Sequence, residues 1–330
     1  MVGSSCEQRE KMAQYTVGVD VGGTKTAYGL FGPDQSLVAR AEMPTRLGGT
    51  PEQIADAVLD GIRAIMAGHG LALADLEGVG LAFPSYIDYE AGRILCTTNI
   101  TDLCGFDARD YFQAKLGVRV ALDNDCHVAA MAEHRLGAGS GYHHLLFCAV
   151  STGISSAMII NDRLFRGSYG AAGETGHMLI TPETGVQCGC GHAGCFMSHI
   201  SGSMIVQHIR GWLDAGQSSA MLAMAKGDPA AIDCEIVRAA ALAGDALAQS
   251  ALEHMAYYLG VWTYNLYQAL NINCYVFGGG LTGLGDLLFG PARAHFDRLN
   301  VTQPGQEVHW KFAELGRDAG IIGAQLLLHE

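Results

Sequence analysis

The stretch from Gly173 to Gly202, GETGHMLITPETGVQCGCGHAGCFMSHISG, constrains the fold more than any other part of this 330-residue chain. His177 stands eleven residues before Cys188, and Cys190 and Cys195 complete a C-x-C-x4-C cluster. Three thiolates and one imidazole make the closed tetrahedral shell that structural zinc prefers. Such a shell can fold a loop with too little apolar mass to fold by itself. Glu174 lies three residues before His177, so a carboxylate and a metal-tethered imidazole can form one wall of a polar pocket.

The chain is long enough to bury a large core, most simply in two domains. Its net charge of −13 argues against a nucleic-acid partner, and no apolar run has the length of a membrane span. The N-terminal segment MVGSSCEQREKMAQY is polar and lacks the apolar centre of a signal peptide. Residues 1–14 read as a disordered leader, with the first strand near Tyr15. Of the ten cysteines, the cluster claims Cys188, Cys190 and Cys195. The rest (Cys6, Cys96, Cys104, Cys126, Cys148, Cys234 and Cys274) have no paired spacing. They read as reduced, small buried hydrophobes in a cytoplasmic protein.

The order of elements narrows the fold to an α/β class. Tyr15 to Asp20 is a strand, Val21 to Lys25 a glycine turn, Thr26 to Phe31 a returning strand, and Ser36 to Met43 another. A glycine turn between two strands rules out the P-loop and the dinucleotide fingerprint, because both open a helix. Helical periodicity runs from Thr50 to His69, with Pro51 in the first turn. Further strands are expected at 79–83 and 118–122, and a helix at 126–136. A second glycine-punctuated strand pair from Leu145 suggests an internal duplication. Residues 203–270 read as mostly helical, less regular over 214–235. Cys274 to Phe277 is a buried strand before Gly278, Gly279 and Gly280, and Ala319 to His329 is a final helix.

Taken in order, these motifs resemble the ROK sugar kinases of the hexokinase/actin-like ATPase superfamily. Asp20-Val21-Gly22-Gly23-Thr24-Lys25 resembles the family's first phosphate loop, and Asn124-Asp125 its catalytic pair. Ala172 to His177 resembles its E-x-G-H sugar motif, Cys188 to Cys195 its zinc motif, and Phe277 to Leu281 its adenosine-side glycine loop. The resemblance spans residues 15–330. It implies two actin-like (ribonuclease H-like) lobes around a central cleft, with a zinc-stabilised loop in the larger. The small lobe would be residues 15–123 plus 312–330, and the large lobe 124–311. It also implies a homodimer.

The activity implied is ATP-dependent phosphorylation of a hexose or hexose derivative. Asp125 would be the general base on a sugar hydroxyl, most often the 6-hydroxyl in this family. By position alone Asp125 could equally be a helix N-cap, and Asp123 is a weaker candidate base. Asp20, Gly22, Gly23, Thr24 and Lys25 would handle ATP phosphates and Mg²⁺, Asp20 acting through water. Thr152 and Gly153 occupy the second phosphate loop, where Ser151, Ser155, Ser156 and Ala157 replace glycines expected in the family. Gly278, Gly279 and Gly280 would face adenosine. Sugar contacts implied are Ser85, Asn99, Asn124, Asp125, Glu174 and His177. His177, Cys188, Cys190 and Cys195 would hold structural Zn²⁺; His192 and His199 are alternative ligands by proximity but fall outside the matching positions and read as surface histidines. Met197 departs from the pattern, because the family places a sugar-binding glutamate there. The alternative reading is a sugar-binding sensor of the same fold with little catalysis.

Overall fold

The structure is a computed structural model describing residues 14–97, 100–183, 185–301 and 306–330. In chain order it contains β1 (Tyr15–Val21), β2 (Lys25–Phe31), β3 (Leu37–Pro44), α1 (Pro51–Ala67), β4 (Leu76–Phe83), β5 (Ser85–Asp88), β6 (Arg93–Thr97), α2 (Ala108–Leu116), β7 (Arg119–Asn124) and α3 (Asp125–Leu136). There follow β8 (His144–Val150), β9 (Ile154–Ile160), β10 (Arg163–Phe165), α4 (Met197–Ile200), α5 (Gly202–Asp214), α6 (Ala220–Met224), α7 (Cys234–Leu242), α8 (Ala246–Leu270), β11 (Cys274–Gly278), α9 (Asp286–Leu299), β12 (His309–Phe312) and α10 (Ala319–Leu326). Among the described residues, no helix is long and apolar enough to cross a membrane.

The chain divides into two compact units. The first takes the described residues up to 132, with 167–171 and 317–330; the second takes 133–166 and 172–316. The first unit is built on the sheet β3-β2-β1-β4-β7. The turn after β1 is too short for a crossover, so β2 returns antiparallel, and β3 pairs antiparallel with β2. β4 then lies parallel to β1, and β7 parallel to β4, each reached through a helical connection. Helix α1 starts at a capping box in which Thr50 and Gln53 bond reciprocally, with Pro51 at the first helical position. Its apolar face (Ile54, Val58, Ile62 and Ile65) joins Val19, Tyr28 and Leu81 in one core.

The second unit repeats the plan. Its sheet runs β10-β9-β8-β11-β12, with β8-β9 and β9-β10 antiparallel and β8-β11 and β11-β12 parallel. The duplication expected from the sequence is therefore visible as a repeated topology. The longest helix, α8, is capped by Asp245 and ended by Asn271 in the left-handed conformation at φ 51°. Trp262 and Leu259 on α8 are buried in the second core.

Some elements were not anticipated. The β5-β6 hairpin, α2, α9 and β12 carry weak periodicity in the sequence, and their burial depends on neighbours far along the chain. The reading of isolated cysteines as buried holds for Cys126, Cys148 and Cys274, but Cys96 and Cys104 are exposed beside the hairpin. The leader and Cys6 lie outside the described residues.

The C-terminal helix α10 completes the first unit. Gly18 of β1 and Gly80 of β4 face each other across the parallel ladder. A Cβ on Gly18 would stand 1.9 Å from the carbonyl oxygen of Ile321, and one on Gly80 1.7 Å from that of Ala324. On another side of the helix, a Cβ on Gly323 would meet the Val128 carbonyl oxygen at 1.8 Å. Backbone therefore packs on backbone at three places, which only glycine permits. Gly80→Ala is expected to cost about 3 kcal/mol or more, as an overpacked core substitution with no flexible neighbour to yield. Chemical denaturation should show this as a lowered midpoint, whereas Gly70→Ala, in open space though at φ 71°, should cost clearly less.

Candidate active site and metal centre

In the first unit the expected functional residues gather at one edge of the sheet. β1, β4 and β7 are parallel neighbours, and their carboxyl ends lead into Asp20 to Lys25, Ser85, and Asn124 with Asp125. Ligands of open α/β sheets bind outside such strand ends.

The first turn is held from below. Gly22 N–H donates to the Lys25 carbonyl at 3.0 Å, and a Cβ on Gly22 would stand 2.8 Å from that oxygen. Thr45 Oγ1 donates to the Gly22 carbonyl at 2.7 Å and lies 2.9 Å from Thr26 Oγ1, while Thr45 N–H bonds the Thr24 carbonyl at 3.0 Å. Thr45 was not singled out in the sequence, because nothing local marks it as the clasp of a turn twenty residues earlier. Thr24 and Lys25 are exposed. Lys25 Nζ rests on Glu42 at 2.8 Å, and Glu42 also receives Arg40, which reaches Asp318 at 2.7 Å. Exposed pairs of this kind restrain little, so Glu42 does not fix the Lys25 ammonium.

Asp20 lies against Gly320 in the first turn of α10, where a Cβ would meet its Oδ2 at 2.3 Å. Burial pushes the Asp20 carboxyl up to about 6, with the Lys25 ammonium pulling the other way more weakly.

At the end of β7 the roles of neighbouring residues separate. Asn124 Oδ1 accepts from the Cys126 and His127 N–H groups at 2.9 and 3.2 Å, so Asn124 is the residue that caps α3. Asp125 sits at the first helical position, half-buried, and one carboxylate oxygen accepts from Cys126 N–H at 2.8 Å. The N-cap alternative for Asp125 is thus filled by its neighbour. Asn124 Nδ2 donates to the Ser85 carbonyl at 3.1 Å, joining the ends of β7 and β5. The Ser85 hydroxyl is buried and has no partner among the described residues. Asp123 is buried and engaged by His127 Nδ1 at 2.8 Å and by Asn124 N–H at 2.7 Å, which leaves it a framework role. Asn99 lies outside the described residues.

In the second unit the E-x-G-H segment is pressed onto β9. Gly173, at φ 110°, would place a Cβ 1.9 Å from the Ser156 carbonyl oxygen, and Gly176 one 2.2 Å from that of Ile154. Ser156 N–H and Oγ both donate to the Gly173 carbonyl, at 2.8 and 3.1 Å, and Ser156 Oγ lies 2.8 Å from Thr175 Oγ1. Trp262 Nε1–H donates to the Thr175 carbonyl at 3.3 Å and stacks on Phe196. Glu174 and His177 are left partly exposed on either side of this anchored stretch.

His177 divides its two nitrogens. Nδ1 lies 3.7 Å from Cys188 Sγ, and Nε2 lies 4.0 Å from Glu174 Oε2. Cys190 Sγ and Cys195 Sγ are 3.5 Å apart, and the four ligand atoms of His177, Cys188, Cys190 and Cys195 all lie within 4.8 Å of one another. Zinc bonds of about 2.3 Å to sulfur and 2.0–2.1 Å to nitrogen put tetrahedral neighbours roughly 3.5–3.8 Å apart, so the donor set fits. Burial, then the neighbouring thiols, pushes the Cys195 thiol up to about 12, whereas the His192 N–H is the main cause holding Cys190 down at about 6. His192 is exposed as expected, although its Nδ1 approaches Cys190 Sγ at 3.6 Å. His199 is not the surface residue that the sequence suggests: it is 5% exposed, covered by α5 and α8.

Thr152 and Gly153 form an exposed turn after β8, and Gly278 ends the adjacent parallel strand β11, with Gly279 and Gly280 following it. The two turns touch: a Cβ on Gly279, at φ 95°, would meet the Val150 carbonyl oxygen at 2.6 Å. Of the residues that replace expected glycines, Ser156 and Ala157 lie buried within β9. Met197 packs against the second core, with Sδ 3.7 Å from where a Gly153 Cβ would lie.

Comparison with known proteins decides the family. The ROK family model matches residues 16–330. The chain belongs to the ROK family. It is 32% identical over 317 residues to a glucokinase of Halalkalibacterium halodurans, covering 96% of each chain. Its structure resembles that of a ROK family glucokinase from Streptomyces griseus in complex with glucose and AMPPNP (TM-score 0.78, 29% identity, 95% of this chain and 98% of that one). It also resembles the ROK hexokinase from Thermus thermophilus (TM-score 0.80, 28% identity, with the same coverages, 95% and 98%). Within the ROK family the chain is accordingly a carbohydrate kinase that phosphorylates a hexose with ATP.

The raised Asp20 acid has a consequence for stability. An acid whose folded pKa stands above its unfolded value binds more protons folded than unfolded between the two, so it destabilises the fold once both forms are ionised. That cost is absent below about pH 4, grows up to about pH 6 and is complete above it. Asp20→Asn should therefore raise the melting temperature relative to the parent at pH 8 and lose most of that advantage at pH 4. An advantage independent of pH would contradict the burial of this carboxylate.

Proposed function

We propose that this ROK-family chain transfers the γ-phosphoryl group of ATP to a hydroxyl of glucose or a close hexose relative, with Asp125 as the general base. The observation that carries the assignment is the division of labour at the end of β7. Asn124 takes the cap of α3, so the Asp125 carboxylate, which accepts from Cys126 N–H at the first helical position, is not the residue that caps the helix. A carboxylate within reach of the sugar hydroxyl accepts its proton as the oxygen attacks phosphorus.

Around Asp125 the first unit offers Asn124, Ser85 and the turn from Gly22 to Lys25. The unpartnered Ser85 hydroxyl suits a sugar oxygen, in a position where an apolar ligand would leave it unsatisfied. N–H groups of the turn and the Lys25 ammonium suit phosphate oxygens. Asp20 would hold Mg²⁺, which supplies charge neutralisation at the phosphates when bound. From the second unit, Thr152, Gly153 and Gly278 to Gly280 suit the nucleotide, and Glu174 and His177 suit sugar hydroxyls. The resemblance also makes Asn99 a sugar contact. Zn²⁺ held by His177 Nδ1, Cys188, Cys190 and Cys195 would fix the imidazole so that Nε2 faces Glu174 and the sugar.

The glucokinase relative supports glucose as the first substrate to test. Met197 bears on the choice, since a thioether cannot accept the sugar hydrogen bond that a glutamate would. A coupled ADP-release assay over glucose, other hexoses and N-acylhexosamines tests the reading. Asp125→Asn should lower kcat on the best sugar by about 10²–10⁴-fold without shifting the melting temperature. Turnover equal to the parent would reject Asp125 as base. Independently, stripping metal with a thiol-compatible chelator should lower the melting temperature by on the order of 10 °C, and Zn²⁺ should restore it; an unchanged melt would reject a structural ion.

A further inference from the structure

A second group of donors lies outside the cysteine centre. His199 on α4, His208 on α5 and His254 on α8 each place a ring nitrogen within 4.8 Å of the other two. We propose that these three imidazoles form a second metal site, for a divalent late first-row ion such as Zn²⁺, which clips the zinc loop to α5 and α8.

The geometry suits a metal: one nitrogen pair stands at ligand spacing and all three lie within 4.8 Å of one another. His199 Nδ1 and His254 Nε2 are 3.4 Å apart. Two nitrogens bound to one tetrahedral zinc at about 2.0–2.1 Å would stand roughly 3.3–3.4 Å apart. Outer partners already orient two of the rings, as they do around metal-bound histidines. His208 Nε2 donates to the Ser198 carbonyl at 2.9 Å. That acceptor fixes the proton on Nε2 and leaves Nδ1 with its lone pair. His199 Nε2 lies 2.8 Å from Thr181 Oγ1, so Nε2–H can donate there while Nδ1 binds metal. The Tyr258 ring also stacks on His199, with centroids 3.9 Å apart, which holds the imidazole plane.

Three imidazoles at this spacing cannot all carry protons. Burial, then the two neighbouring rings, pushes His199 down to about 4, and burial together with His208 lowers His254. Neutral imidazole is the form that ligates, so protons compete little at neutral pH. Imidazole donors suit Zn²⁺, Ni²⁺ and Cu²⁺. Three protein ligands leave one position for water, unlike the closed cysteine shell. Thr181 ties the group to the cysteine loop, because the Ile180 and Thr181 N–H groups both bond the carbonyl of Gly194, next to Cys195.

Metal counting tests the proposal without reference to kinase activity. Full-length protein is equilibrated with micromolar Zn²⁺, dialysed against metal-free buffer and analysed for zinc per chain. The parent is expected to hold two ions, and His254→Gln and His208→Asn one each. Replacing zinc by Co²⁺ scores the cysteine site separately, since its thiolate charge-transfer band should be unchanged in both variants. If His254→Gln fails to fold, as its melting curve would show, His208→Asn and the parent count still decide. One zinc in the parent with the full charge-transfer band would overturn the proposal, and so would two zincs retained by both folded variants.

Discussion

A close approach of backbone to backbone in the first unit, the glycine seat beneath α10, is the constraint on which its functional edge depends. Gly18 and Gly80 are paired across β1 and β4, and the carbonyls of Ile321 and Ala324 enter the space where side chains would be. The C-terminal segment can therefore lie flat on the two central strands. Its first turn then brings Gly320 against Asp20, a half-buried acid whose carboxyl burial pushes up. A packing requirement some three hundred residues apart in sequence thus sets the electrostatic character of a site residue. The contact that closes the core is also the one that lies against this acid.

Much of this was legible because the signals are local. A β-branched run, a short glycine turn and a second run can only return antiparallel, and β1 and β2 do so. The Thr50 and Pro51 start of α1 and the spacing of His177, Cys188, Cys190 and Cys195 likewise carry their meaning within a few residues. The unread features share a different property. Thr45 clasps a turn on the neighbouring strand pair, and His127 engages Asp123 across a strand-to-helix junction. His199 sits in a short helix, and it is covered by His208 of the adjacent α5 and by His254 and Tyr258 of α8, the former 55 residues on in the chain. Cys96 is exposed because its hairpin is narrow, a fact about sheet edges that composition does not carry. Side chains whose surroundings arrive from afar are the ones a linear pattern misjudges.

The replacements in the second phosphate loop gain a meaning that the pattern alone did not suggest. Ser156 stands where the family favours glycine, but its hydroxyl points into the protein and bonds the segment bearing Glu174 and His177. Met197 packs against the apolar core too, but its Sδ lies 3.7 Å from where a Gly153 Cβ would stand, beside the turn after β8. Departures from a family pattern at a site need not be departures in chemistry, because some of the altered side chains face away from any ligand.

Trp262 joins two parts of this arrangement. Its indole N–H holds the Thr175 carbonyl, between Glu174 and His177, and its ring lies flat on Phe196, the residue after the last cysteine of the cluster. The other two tryptophans of the chain, Trp212 and Trp310, belong to different surroundings. The fold has in effect placed an optical label at the junction of metal loop and sugar motif. Quenching and emission colour of that indole follow the order of both, superposed on the emission of Trp212 and Trp310.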